Sequence, residues 1–259
     1  MSTIEFELNH DQSNLVGMLL EPQGATNGVP LVFCHGIPSG QPPVPGDGGY
    51  PELAQIFVDR GHPCALFNFR GTGPSRGSFS LPGWRDDLLA LIGHLDGYPN
   101  WEQGMVLVGF SGGGASALLA AAQTPAVLGV AAMAAPADFE FLTSQASPEL
   151  LWQHFVRIGI VDPQLHPDAG QWISSFDEVS VERALEGIGA RPLLFVHGDC
   201  DATVPAEHAR RLFKLAQDPK QLAVLPGGGH RLRCEKQAID CLHHWIAHNF
   251  DARITARGN

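Results

Sequence analysis

The run Val106-Leu107-Val108-Gly109-Phe110-Ser111-Gly112-Gly113-Gly114 is an apolar strand pattern that leads straight into G-x-S-x-G. The alanine-rich stretch from Ala115 to Gln123 that follows favours helix. A serine on so tight a strand-to-helix turn projects its hydroxyl outward from a strained backbone, the arrangement that nucleophilic chemistry needs. Gly109 and Gly113 remove the crowding that a Cβ would cause there. The helix start adds free N–H groups and the positive end of a dipole, so an oxyanion forming beside Ser111 would be stabilised. In a chain with 30 glycines the five-residue pattern alone is weak, and the assignment rests on what lies downstream.

Downstream, Leu193-Leu194-Phe195-Val196 is an apolar strand that ends in His197-Gly198-Asp199-Cys200-Asp201-Ala202-Thr203-Val204-Pro205, with a carboxylate just past the strand. A second apolar strand, Leu222-Ala223-Val224-Leu225, runs into Pro226-Gly227-Gly228-Gly229-His230, which places an imidazole at a loop tip. The order is Ser111, Asp201, His230. Here the chain resembles the α/β-hydrolase family, in which acid and histidine follow the serine in that order and the acid lies in a pattern like H-G-x-x-D-x-x-V-P. The resemblance selects Asp201 over Asp199 as the triad acid and extends from about Leu15 to Phe250.

Two more loops fit it. Pro30 to Pro38 is a strand ending in an H-G-x-P turn at His35-Gly36-Ile37-Pro38. The resemblance implies that the Ile37 N–H is one oxyanion donor and that of Gly112, after the nucleophile, the other, each worth about 3–4 kcal/mol in the transition state. Arg70 to Gly77 matches an R-G-x-G-x-S-x-G turn whose usual role is structural; Asn68 stands where that turn frequently has Asp.

The implied chemistry is acyl transfer to water: His230 takes the Ser111 proton, Asp201 steadies the imidazolium, and an acyl-enzyme is then hydrolysed. Neither metal nor organic cofactor is needed. A serine at the turn argues against the carboxylate-nucleophile dehalogenases and epoxide hydrolases of the family. Family frequency makes a small-molecule carboxylic ester or thioester the expected substrate. An aminopeptidase or amidase, and a hydrolase of carbon–carbon bonds, would keep the same triad. A catalytically silent ligand-binding member would have lost a triad residue, which is not seen. Of the twelve histidines, His243, His244 and His248 read as a solvated helix face, and His35 and His197 as holding loop geometry. None shows the H-E-x-x-H spacing of a zinc hydrolase.

The elements that must position these residues alternate between strand and helix patterns, which implies a mostly parallel central sheet flanked by helices. Ile4 to Leu8 and Leu15 to Leu20 read as an opening hairpin. Helices are expected around Leu53 to Phe57 and Trp84 to Leu95, and late in the chain around Ala209 to Ala216 and Ala238 to Ile246. Between Pro136 and about Ala190 the pattern changes: helical stretches at Pro148 to Ile158 and Val179 to Ile188 come without an intervening strand. The family places a cap there, so 1–136 and 189–259 are expected to form the core and 137–188 a small helical cap. That segment gathers Phe139, Phe141, Trp152, Phe155, Trp172 and Phe176 in a chain that is 8% aromatic. Phe139, Trp152 and Trp172, with Phe110 beside the nucleophile, are candidates to line an apolar substrate pocket. The competing reading is that the rings only pack the cap onto the core.

At 259 residues and 44% hydrophobic content one domain is expected. The N-terminus lacks a signal-peptide pattern and no stretch is long enough to span a membrane, so a cytoplasmic protein is expected. Five scattered cysteines with no C-x-x-C pair suggest neither a disulfide framework nor a zinc site. A formal net charge of −11 argues against a nucleic-acid partner.

Overall fold

The computed structural model describes residues 1–24, 26, 28–40, 47–144 and 146–251. The chain opens with the antiparallel hairpin β1 (Ser2–His10) and β2 (Ser13–Glu21). Beyond it the chain alternates: β3 (Leu31–Cys34), α1 (Gly49–Val58), β4 (Cys64–Phe67), α2 (Leu81–Leu95), β5 (Met105–Phe110), α3 (Gly112–Ala121) and β6 (Val127–Met133). After a helical excursion come α7 (Val181–Ile188), β7 (Leu193–Gly198), α8 (Glu207–Leu215), β8 (Lys220–Leu225) and α9 (Lys236–Ile246). The described strands form one eight-stranded sheet in the order β1-β2-β4-β3-β5-β6-β7-β8. The hairpin pairs are antiparallel, as is β2 with β4, and every later pair is parallel.

Both faces of the parallel part are covered, which is why β3, β4 and β5 are continuous apolar runs. Alternate side chains go to opposite layers. Leu107 and Phe195 join Leu88, Leu118 and Leu185 on one face, while Val106, Val108 and Leu194 join Phe57, Leu242 and Trp245 on the other. β5 is buried along its whole length. Among the described residues no helix is long and apolar enough to cross a membrane.

The strand order decides where a ligand can sit. From β3 the chain steps outward to β4, then returns to the other side of β3 as β5. Strand ends diverge at such a reversal, and the crevice beyond their carboxyl ends is where open α/β sheets bind ligands. Cys34 pairs with Gly109 and Phe110 with Met133, so the loops after β3 and β5 leave the sheet side by side.

The excursion between β6 and β7 holds α4 (Glu140–Thr143), α5 (Pro148–Arg157) and α6 (Ala169–Ser174), then a 3₁₀ turn at Ser175–Glu178. The expected helix at Pro148 to Ile158 is α5; α6 is too short for periodicity to reveal. α7 buries Val181, Leu185 and Ile188 against the layer that holds α3. It therefore packs as a core helix, and the excursion from the core ends near residue 179 rather than 188.

Candidate active site

Ser111 sits between the end of β5 and the start of α3 with φ 53° and ψ −125°, a left-handed conformation that costs a non-glycine residue about 1–3 kcal/mol. The surroundings enforce it. A Cβ on Gly113 would lie 2.2 Å from the His35 carbonyl oxygen, and one on Gly109 would lie 2.5 Å from that of Gly113. Only glycine at both positions lets the turn close this tightly.

The Ser111 hydroxyl is 3.0 Å from His230 Nε2. His230 Nδ1 is 2.7 Å from Asp201 Oδ2, and the Asp201 side chain has no solvent exposure. A carboxylate can only accept, so Nδ1 carries the proton and the neutral ring's Nε2 accepts from Ser111. Asp201 is cradled by its own loop: the N–H groups of Thr203 and Val204 donate to Oδ1 at 2.8 and 2.9 Å. Burial pushes this carboxyl up, but the His197 and His230 contacts and the Val204 N–H outweigh it and hold it well below the usual carboxylate range. Asp199 faces elsewhere, accepting the Gly227 N–H at 2.6 Å and tying the β7 loop to the β8 turn.

The two expected oxyanion donors flank Ser111. A Cβ placed on Gly112 would lie 3.7 Å from the Ile37 nitrogen, and one on Gly36 would lie 2.9 Å from Ser111 Cβ. Gly112 is the first residue of α3, where backbone N–H groups have no intrahelical acceptor. His35 sets the other amide. The Phe69 N–H donates to its Nε2 at 3.2 Å, so Nδ1 carries the proton and donates to the Gly36 carbonyl at 2.8 Å. In a planar trans peptide the carbonyl and the next N–H point opposite ways, so holding the Gly36 oxygen aims the Ile37 N–H away from His35. Burial lowers the His35 pKa, partly offset by that carbonyl, which keeps the ring neutral and the tautomer fixed. The loop-holding part expected of His35 thus takes the form of contacts to the Gly36 carbonyl and the Phe69 N–H.

A cavity of about 1130 Å³ opens on Ser111 and His230, with Ile37, Tyr50, Phe110 and Phe67 among its walls. At its rim Arg233, from the His230 loop, pairs with Asp47 and lies over the Tyr50 ring, 5.6 Å from its centroid. Among the described residues no group of His, Cys, Asp and Glu side chains is arranged to hold a metal ion.

Residues 50–253 match the peptidase S9, or prolyl oligopeptidase, family. The chain belongs to that family. It is 28% identical over 179 residues to the uncharacterized protein YfhR of Escherichia coli O157:H7, a match covering 69% of this chain and 56% of YfhR. The match thus spans little more than half of that relative. Among solved structures, the α/β hydrolase GrgF from Penicillium sp. sh18 superposes with a TM-score of 0.75 at 19% identity, over 96% of this chain and 99% of GrgF. The esterase domain of a Rhodothermus marinus protein gives a TM-score of 0.69 at 23% identity, over 96% and 99% of the two chains. These structural likenesses place the chain in the α/β-hydrolase fold.

In this prolyl oligopeptidase family member the excursion rings do not behave as a set. Phe110 lines the cavity; Phe139, Trp152 and Trp172 are not among its described walls. Trp172 is 1% exposed and donates from Nε1 to the Phe79 carbonyl at 2.8 Å. Phe155 and Phe176 meet it edge-on, and Phe139 in turn meets Phe176. Trp152 is half-buried and donates to the His166 carbonyl at 2.9 Å. The pocket role expected of these three rings therefore gives way to packing: Phe139 and Trp172 are buried among neighbours, and the half-buried Trp152 turns its N–H to a backbone carbonyl. The walls come instead from the β1–β2 hairpin, β4 and the loop before α1, whose pocket-facing residues carry no sequence signal that distinguishes them from core.

Proposed function

We propose that the protein is a serine hydrolase that cleaves small-molecule carboxylic esters or thioesters through an acyl-enzyme on Ser111. The observation that carries this reading is the unbroken line of contacts from Ser111 Oγ to His230 at 3.0 Å and from His230 to Asp201 at 2.7 Å. His230 Nε2 takes the hydroxyl proton as Oγ bonds to the substrate carbonyl carbon. The ionised Asp201 holds the imidazolium, and the carbonyl oxygen, now negative, is received by the N–H groups of Ile37 and Gly112. His230 then returns the proton to the leaving alcohol or thiol. A water, deprotonated by the same ring, attacks the acyl-enzyme and releases the acid.

Family membership favours a second reading, cleavage of amide or peptide bonds by the same groups. The two differ in the leaving group, since an amine needs fuller protonation by His230 before it departs than an alkoxide does. A matched pair of substrates with one acyl group, a p-nitrophenyl ester and a p-nitroanilide, separates them. Turnover of the ester with negligible turnover of the anilide supports the ester reading, and the converse supports the peptidase reading. Intact-mass analysis after exposure to a fluorophosphonate tests both: no adduct on Ser111 removes the serine-hydrolase assignment.

A further inference from the structure

The triad acid has a second imidazole against it that the proposed mechanism does not use. His197 lies in β7, and its side chain has no solvent exposure. Its Nε2 is 2.8 Å from the Val204 carbonyl oxygen and 3.2 Å from Asp201 Oδ2, the same oxygen that receives the His230 proton. Both neighbours are acceptors, so Nε2 carries a proton. Val204 is thereby held at both ends, its carbonyl by His197 and its N–H by Asp201 Oδ1 at 2.9 Å.

The other ring nitrogen makes this arrangement costly. Nδ1 is buried without a hydrogen-bond partner. An apolar residue of similar size would fill the site without stranding a polar atom, so packing alone disfavours an imidazole here. What the imidazole supplies and an apolar residue cannot is one N–H directed at the acid loop.

We propose that His197 is a positioning residue of the triad: its Nε2–H, shared between Val204 and Asp201, locks the acid loop and the carboxylate rotamer that keep Oδ2 on His230. The proposal rests on the serine-hydrolase reading, since it acts only through Asp201. Without His197, Oδ2 keeps only His230 as a side-chain partner, and the Val204 carbonyl loses its own; the loop from Asp199 to Pro205 is then free to turn the carboxylate away. Small misplacements of this kind lower turnover while substrate binding, made elsewhere in the cavity, persists.

The test compares His197→Gln, whose amide N–H can reach the same acceptors, with His197→Leu and His197→Phe, which have no donor. With p-nitrophenyl acetate as probe, the Leu and Phe variants should lose about 10- to 100-fold in kcat with KM little changed, and Gln should recover most of the loss. The downfield proton resonance of the His230–Asp201 hydrogen bond should be present in wild type and Gln and displaced in Leu and Phe. Equal kcat in all variants, or a Gln variant as poor as Leu, overturns the proposal. A measurement on the wild type guards against variants that do not fold: nitrogen-15 NMR of the histidines should find the His197 proton on Nε2, and a proton on Nδ1 with Nε2 bare overturns it. Failure of the wild type to form a fluorophosphonate adduct at Ser111 would instead remove the underlying function reading.

Discussion

The loops at the carboxyl edge of β5, β7 and β8 and the helical excursion between β6 and β7 treat their rings in opposite ways. At the edge, His230 is partly open, its side chain 23% exposed, with one nitrogen on a buried carboxylate and the other on a hydroxyl that faces the cavity. In the excursion, Trp172 is closed on every side and its single donor is consumed by a backbone carbonyl. The first region stores cost in a strained serine and an unpartnered His197 nitrogen. Among the excursion's buried described side chains no N or O atom is left without a partner. Aromatic density therefore marks packing, whereas converging polar groups held at a cost mark a site.

Breaking the first region should have the largest effect. Ser111→Ala should lower kcat by about 10⁶-fold, as loss of a nucleophile does in other triads, and should abolish labelling by a fluorophosphonate. A variant that keeps even a few per cent of wild-type activity would contradict the proposed chemistry.

The two neighbouring acids sharpen the comparison within one loop. Asp201→Asn should cost about 10⁴-fold in kcat, because the charge that holds the imidazolium and its tautomer is lost. Asp199→Asn should cost about tenfold or less, since that side chain accepts the Gly227 N–H and makes no contact with His230. Circular dichroism first establishes that both variants fold. A crippled Asp199→Asn beside a near-normal Asp201→Asn would shift the acid by two residues.

The second region should answer in stability rather than in selectivity. Trp172→Ala should destabilise by about 3–5 kcal/mol in urea unfolding while leaving the ratio of kcat/KM for long and short acyl esters unchanged. Phe110→Leu, on the cavity wall, should shift that ratio with a smaller loss of stability. If the Trp172 variant moves the ratio and the Phe110 variant does not, the excursion shapes the pocket after all.

The smallest effect concerns acid stability. Asp201 is depressed in the folded state, so its contribution is present above the unfolded carboxyl value of about 3.9 and is lost as pH falls below it. The gap in melting temperature between wild type and Asp201→Asn should thus be present at neutral pH and shrink toward pH 3. A gap that widens on acidification would show that the carboxyl is raised rather than lowered.

Much of the fold and of the candidate triad was legible in the chain because both are written locally. An apolar run followed by Gly-x-Ser-x-Gly and an alanine-rich stretch has few conformations that satisfy sterics at Ser111. The alternation of strand and helix patterns already requires a mostly parallel sheet with both faces covered. Asp201 and His230 each follow an apolar strand, and parallel strands deliver such loops to one edge. That His35 and His197 hold loop geometry was readable, but their partners were hidden, because a histidine beside a glycine at a strand end looks the same whichever carbonyl or carboxylate waits across the fold. The choice between the pocket and packing readings of Trp172 was hidden for the same reason: whether a ring faces a void or Phe79 depends on residues 93 positions apart. Sequence by itself determined which side chains can do chemistry and on which strand ends they sit. Tertiary structure alone decided which walls bound the cavity, because a wall is a surface left uncovered, and only packing determines what is covered.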